Sequence, residues 1–275
     1  MSLPVICALG DLLLDVIVRL RDPLALDDDT VAETRTGPGG QAANAAAWSA
    51  AVGAEARFVG KLGDDVAGPL LAKELEARGV RVLGPPPAGR SGVVVSLVDA
   101  EGGRSMASDR GSCPELAPEE LDACWFEGCD WLHVAGYSLL REPIATASVE
   151  ASRLARDRGA RVSVDLSTWN GIRDAGPEHF LGLLRSVGPD VVFATERELD
   201  ALGAAPPAPA WVVKRGSEGI AVTRGAGMLE LPALPAQVVD STGAGDALAA
   251  GYLVGGAELG LEAAARCVAS VGAMP

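Results

Sequence analysis

Basic residues are scarce in this chain. Lysine and arginine total 23 against 37 aspartates and glutamates, a formal net charge of −14. No Lys/Arg cluster interrupts that balance, which excludes a nucleic-acid partner and disfavours an anionic membrane surface. An acidic protein that handles phosphate has to do so locally, with backbone amides and metal. Histidine is rarer still: His133 and His179 lie far apart, and no Cys/His spacing suits zinc. The five cysteines (Cys7, Cys113, Cys124, Cys129 and Cys267) are odd in number and form no CxxC pair, a usage that fits reduced thiols and a cytoplasmic location. No apolar run reaches the ~18 residues of a membrane span. The N-terminal run VICALGDLLLDVIV is broken by Asp11 and Asp15 and lacks the basic leader and cleavage site of a signal peptide. GxxxxGK followed by Ser or Thr is absent, which excludes a P-loop enzyme. GxGxxG after the first strand and GxSxG are absent as well.

What is present is a large core. Apolar residues make up 48% of 275 residues, enough for a single large domain spanning 1–275. A buried strand is expected over 5–9, ending at Gly10. Asp11 and Asp15 follow, and they share a face if the strand resumes after that glycine. Extended pieces over 15–19 and 30–36 flank an acidic turn. A helix is expected over 41–51, a strand over 56–60, a helix up to about Arg78 begun by Asp64 and Asp65, and a short strand over 81–83. Segments 92–99 and 104–108 pair as a hairpin. From about residue 118 strands and helices alternate: strands over 131–134, 161–165, 190–193 and 211–214, with helices over 143–158, 178–187 and 195–202. That rhythm belongs to a parallel sheet covered by helices. Segments 220–223 and 228–231 read as antiparallel edge strands, 203–210 as a Pro/Ala-rich loop, and a last helix runs from Leu261 to about Ser270. The expectation is an α/β three-layer sandwich. Its N-terminal strands, from about 15–36 and 92–108, gather into a small β-sheet lid over a site at the strand ends.

Two glycine-rich stretches lead into helices. GPGGQAAN, residues 37–44, places a polar Asn44 inside an alanine run, where capping or a bound polar ligand gives it a purpose. DSTGAGDALAAG, residues 240–251, places two glycines and an acid directly before an apolar helix. Glycines let amides face an anion, and a helix start adds unpaired donors and a partial positive charge. An acid there repels the anion, unless it must take a proton beside a phosphate. The competing reading of such a stretch is a loop that caps a buried helix.

GDLLLD, PGGQAAN, GKLGDD and DSTGAGDALAAG, in that order over nearly the whole chain, resemble the ribokinase-like or PfkB family of carbohydrate kinases. The resemblance implies an ATP-dependent, Mg²⁺-requiring kinase that phosphorylates a hydroxymethyl-type hydroxyl of a small sugar. It casts Asp246 as the catalytic base and the amides of Gly243, Ala244 and Gly245 as the anion hole. This fits a reaction that needs positioning and charge stabilisation more than covalent help. Asp15, Gly39, Gly40 and Asn44 match its substrate side, with Asp11 and Arg110 as further contacts. Arg104 and Arg110 belong to the lid, where a solvated position competes with a ligand contact. Lys214, Gly216 and Thr242 match its nucleotide side. Glu198 stands where the family orders Mg²⁺ through water, but Thr195 replaces the usual Asn of that motif. Asp240 matches a monovalent-cation position, K⁺ in some relatives. Lid pairing in some relatives implies a homodimer. A nucleoside kinase and a 2-keto-3-deoxygluconate-type kinase, with Arg110 on the acid, are rival readings within the family. A non-catalytic sugar-binding regulator is the rival outside it. His133 is expected in the core.

Overall fold

A computed structural model describes residues 3–101, 103–205 and 208–275. Gly102 in the predicted hairpin turn and Pro206 and Pro207 in the predicted loop lie outside the described residues, as does the side chain of Arg104. The chain runs β1 (Val5–Leu9), β2 (Leu13–Leu20), β3 (Ala32–Gly39), α1 (Gln41–Ala51), β4 (Glu55–Val59), α2 (Ala67–Glu76), β5 (Val80–Leu83), β6 (Gly92–Val98) and β7 (Arg104–Asp109). It continues through β8 (Trp131–Ala135), α3 (Ile144–Arg156), β9 (Arg161–Asp165), α4 (Trp169–Ala175), α5 (Pro177–Val187), β10 (Val191–Thr195) and α6 (Glu196–Leu202). It ends with β11 (Ala210–Lys214), β12 (Ile220–Arg224), β13 (Gly227–Leu231), α7 (Ala244–Gly255) and α8 (Ala257–Val268).

Nine strands form the main sheet, in the order β13-β12-β11-β10-β9-β8-β1-β4-β5. From β5 to β11 every neighbour is parallel, and only β12 and β13 run antiparallel. The central strands are apolar along their length (VICAL, WLHVA, VVFAT) because helices bury both of their faces. The fully buried His133 follows from that. Its Nδ1 lies 2.9 Å from Ser163 Oγ on the next strand, and burial pushes the ring down to about 4, so it stays neutral as a core residue.

The second sheet, β3-β2-β6-β7, is assembled from the N-terminal pieces that broke the alternating rhythm. The first strand does not run on into it. The chain leaves the main sheet after Leu9, turns at Gly10, and enters the small sheet at Leu13. Asp11 therefore sits in the crossover and Asp15 on β2, so the two acids do not share a strand. Three short 3-10 turns fill residues 113–126, where no periodicity marked any element. Helix α4 was also hidden in sequence, because WNGIRDA has a glycine in its middle and no apolar repeat. The last helix begins at Ala257, four residues before the expected Leu261, because Gly256 at positive φ both ends α7 and starts α8. Among the described residues no helix is long and apolar enough to cross a membrane, and all five cysteines are free.

Candidate active site

The carboxyl ends of β1, β9, β10 and β11 converge on the starts of α1 and α7, as expected for a site at the edge of a parallel sheet. Helix α1 follows Gly40 without a side-chain cap. Its first turn presents Gln41 and Asn44, three residues apart and hence on one face. Asn44 Nδ2 donates to Asp246 Oδ2 at 2.8 Å, and Gln41 hydrogen-bonds the same carboxylate. Asn44 is thus first a partner of the acid. Its Oδ1 is buried with no partner, an acceptor that a ligand hydroxyl would satisfy. Asp15 stands close by: its carboxyl group occupies the space that a Cβ on Gly39 would need, 2.2 Å away.

Asp11 and Arg110 also meet. Arg110 Nε and Nη2 donate to the two Asp11 oxygens at 2.6 and 2.8 Å, and Nη1 donates to the Tyr137 carbonyl at 2.9 Å. This fork is mostly buried, with side-chain exposures of 13% and 7%. It pins the lid end of β7 to the crossover after β1.

Helix α7 follows Gly243, again without a side-chain cap. The nearest carbonyl contact, Ala244 N to Ser241 O, is a long 3.4 Å. Asp246 is the one acid of that turn. Burial is the main reason its pKa rises to about 7, and the charge of Asp165 adds to it. Asn44, Lys214 and Gln41 offset part of the rise. A groove of about 560 Å³ opens from this turn, with Lys214, Gly216 and Gly245 at one end and Leu234, Leu261 and Val268 farther out. The size and apolar walls suit a small-molecule site.

Sequence reasoning missed the residue beneath that groove. Lys214 Nζ donates to both oxygens of Asp165, at 2.8 and 2.7 Å, and Asp165 is fully buried. Burial alone pulls the ammonium down, but the carboxylates of Asp165 and Glu198 outweigh it and hold Lys214 above its ordinary value. The available signal was an acid closing an apolar strand (RVSVD) at the sheet edge where ligands bind. Tyr137 was missed too: it hydrogen-bonds Thr168 and feels the charges of Glu198 and Asp246. So was the groove's outer wall, drawn from the Ala/Pro-rich stretch before Asp240.

Thr195, the residue in place of the expected Asn, caps α6. Its Oγ1 accepts from Glu198 N at 3.3 Å, and Glu198 Oε2 accepts from Thr195 N at 2.7 Å, a reciprocal capping box. Glu198 is buried, which raises its pKa. Asp240 accepts from Thr242 N and Oγ1 through Oδ1 (3.0 and 2.6 Å) and from Gly272 N through Oδ2 at 3.0 Å, tying the loop before α7 to the C-terminal segment. Among the described residues no three His, Cys, Asp or Glu side chains form a metal cluster.

Residues 4–274 match the family described as pfkB family carbohydrate kinase. The chain belongs to that family. A curated ATP-dependent ribose-1-phosphate kinase from Halopiger xanaduensis is 32% identical, over 92% of this chain and 86% of that protein. A fructokinase from Escherichia coli is 31% identical, over 82% and 78%. The crystal structure of an adenosine kinase from Sinorhizobium meliloti superposes with a TM-score of 0.87 at 27% identity, covering 100% of this chain and 96% of that one. The fold is therefore ribokinase-like, and the protein is a carbohydrate kinase that phosphorylates an alcohol group. The regulator reading is set aside.

Proposed function

We propose that this kinase transfers the γ-phosphoryl group of ATP to a hydroxymethyl-type hydroxyl of a small sugar, as one unit spanning residues 1–275, with Asp246 as the base. The observation that carries this reading is the place of Asp246. Its carboxylate is held by Gln41 and Asn44 on the acceptor side while its backbone opens the helix that borders the groove. A base poised near pH 7 suits proton abstraction from an alcohol at neutral pH. Asp15 and the unpartnered Oδ1 of Asn44 would take neighbouring hydroxyls, since carboxylate and amide oxygens offer acceptors at the spacing of a diol. Gly39 lets Asp15 approach, and Gly40 sets the start of α1.

The groove at α7 suits ATP. Its walls would take the adenine, Gly216 would face the sugar-phosphate chain, and the amides of Gly243, Ala244 and Gly245 with Lys214 would face the transferring phosphoryl group. Thr242, braced by Asp240, shapes that turn. Mg²⁺ keeps several waters when bound with phosphates, and the buried Glu198 at the sheet edge is a group that could order such a shell. When present, the ion neutralises phosphate charge. Asp240 accepts from amides and a hydroxyl, the contacts of a loop clamp, which by themselves do not argue for a K⁺ site.

Sugar leads over nucleoside because the lid strands carry no aromatic residue to stack a base. The two curated relatives named above are called ribose-1-phosphate kinase and fructokinase. An acid sugar is disfavoured because the Arg110 fork is filled by Asp11. The lid strands, whose Val93, Val95 and Leu97 alternate along one face of β6, would pair two copies into a homodimer, measurable by sedimentation. Absence of nucleic-acid and membrane partners follows from the charge of −14. The test is a coupled ADP assay with ATP, Mg²⁺ and a panel of D-ribose, D-fructose, ribose 1-phosphate, 2-keto-3-deoxygluconate and adenosine. A sugar of the ribose or fructose type, free or 1-phosphorylated, should give the fastest turnover. Fastest turnover of adenosine or 2-keto-3-deoxygluconate would overturn the acceptor assignment, and no turnover with any would overturn the whole reading.

A further inference from the structure

The phosphoryl-transfer turn rests on a buried ion pair whose acid, Asp165, the reaction scheme above leaves without a task. Asp165 closes β9, and Lys214 closes β11 two strands away. The pair is forked, with Nζ 2.8 and 2.7 Å from the two carboxylate oxygens. It costs desolvation on both sides, and buried pairs of this kind add little net stability. Its location is more informative. A methyl group on Gly245 would sit 3.3 Å from Nζ, so the ammonium lies directly against the first turn of α7. The loop after Asp165 is shaped around the same point. Ser167 takes φ 71, its amide donates back to Asp165 Oδ1 at 3.1 Å, and its hydroxyl donates to Gln41 Oε1. Gln41 in turn holds Asp246. One loop therefore reaches the base by two routes, Asp165–Lys214 beneath the anion hole and Ser167–Gln41 beside the carboxylate.

We propose that Asp165 is a positioning residue for phosphoryl transfer: it fixes the Lys214 ammonium under the anion hole and, with it, sets the charge that Asp246 faces. The proposal rests on the reading of Asp246 as the base. The groups facing Asp246 are Asp165 on β9, Lys214 on β11, Tyr137 after β8, Cys267 on α8, and Gln41 and Asn44 on α1, with Glu198 on α6 behind Lys214. Asp165 raises the Asp246 pKa and Lys214 lowers it, so the two members of the pair have opposite signs. A bulk structural role would give the same sign for both.

The experiment is a carboxyl-carbon NMR titration of the full chain labelled at aspartate, with the Asp246 signal assigned by its loss in Asp246→Asn. It needs no acceptor, so it separates this inference from the kinase reading. Asp246 should titrate near 7 in the wild type. Asp165→Asn should move the midpoint down by about 1 pH unit and Lys214→Met should move it up by a similar amount, each a charge removed at close range. The acid limb of kcat/KM for the active sugar should move the same way. If leaving Lys214 unpaired prevents Asp165→Asn from folding, Lys214→Met and the double variant Asp165→Asn/Lys214→Met decide, the double titrating close to wild type. Folded variants that all titrate as the wild type, or that move in one common direction, would overturn the proposal.

Discussion

The two glycine-led helix starts, at α1 and at α7, are built alike and present different groups. Each follows a glycine at positive φ, Gly40 at 99° and Gly243 at 76°, with no capping side chain. In each the glycine packs against backbone: an added Cβ would come within 2.4 Å of Asp11 O at Gly40 and 2.5 Å of Ala273 O at Gly243. The α1 turn then spends its side chains, with Gln41 and Asn44 both directed at Asp246. The α7 turn keeps its amides open toward the groove and offers one side chain, the acid itself. On the proposed reading, the same local geometry serves as a side-chain platform on the acceptor side and as a backbone anion site on the phosphate side. A glycine-rich loop before a helix does not by itself say which of the two it is. The residues of the following turn decide.

Variants can be ordered by how hard they strain that division. Asn44→Asp should have the largest effect. It would put a second carboxylate 2.8 Å from Asp246, so the two would share a proton and the base would be neutralised near pH 7. A fall in kcat of about 10²-fold or more at pH 7 is expected in the coupled assay. Gly243→Ala and Gly40→Ala come next. Each should lose about 1–3 kcal/mol in urea unfolding from backbone strain. The kinetic consequences should separate, with KM for ATP rising in Gly243→Ala and KM for the sugar rising in Gly40→Ala. If both raise the same KM, the two turns do not divide the work as described.

The pH dependence is a subtler probe. As the proposed base, Asp246 has to be ionised to act, so kcat/KM should rise with pH through about 7. The same raised pKa has a stability consequence of opposite sense. The folded state holds this proton where the unfolded chain has lost it, so the associated stability is present in acid and fades as pH rises from about 4 through about 7. Asp246→Asn should therefore be the more stable protein at pH 8, by thermal melting, and should lose that advantage in acid. Thr195→Ala should have the smallest effect, about 1 kcal/mol of stability from the broken capping box, with a modest change in kcat.

Much of the fold was legible because it is written in local patterns. The bounds of β1, α1 and β9 fell where apolar runs met Gly10, Gly40 and Asp165. The lid was legible as the set of strands that did not fit the alternating rhythm. Elements with no period of their own were not, namely the 3-10 turns before β8 and the short α4. At the site, Asp246, Asn44 and the glycines stood out because a charged or polar residue in an Ala/Gly-rich stretch has few other reasons to be there. Asp165 did not, because its meaning comes from Lys214, 49 residues later and two strands across the sheet. The same holds for the Asp11–Arg110 fork, which joins positions 99 residues apart. Long-range pairing of charges depends on strand order, and strand order is a property of the whole sheet.

The most direct test of the central claim separates binding from chemistry at Asp246. ATP binding by calorimetry and sugar-dependent ADP formation would be measured side by side for the wild type and Asp246→Asn. The account predicts ATP affinity within about threefold of wild type, since α7 amides and Lys214 are untouched, and turnover reduced by about 10²-fold or more. Turnover near the wild-type rate in a folded, ATP-binding Asp246→Asn would contradict it.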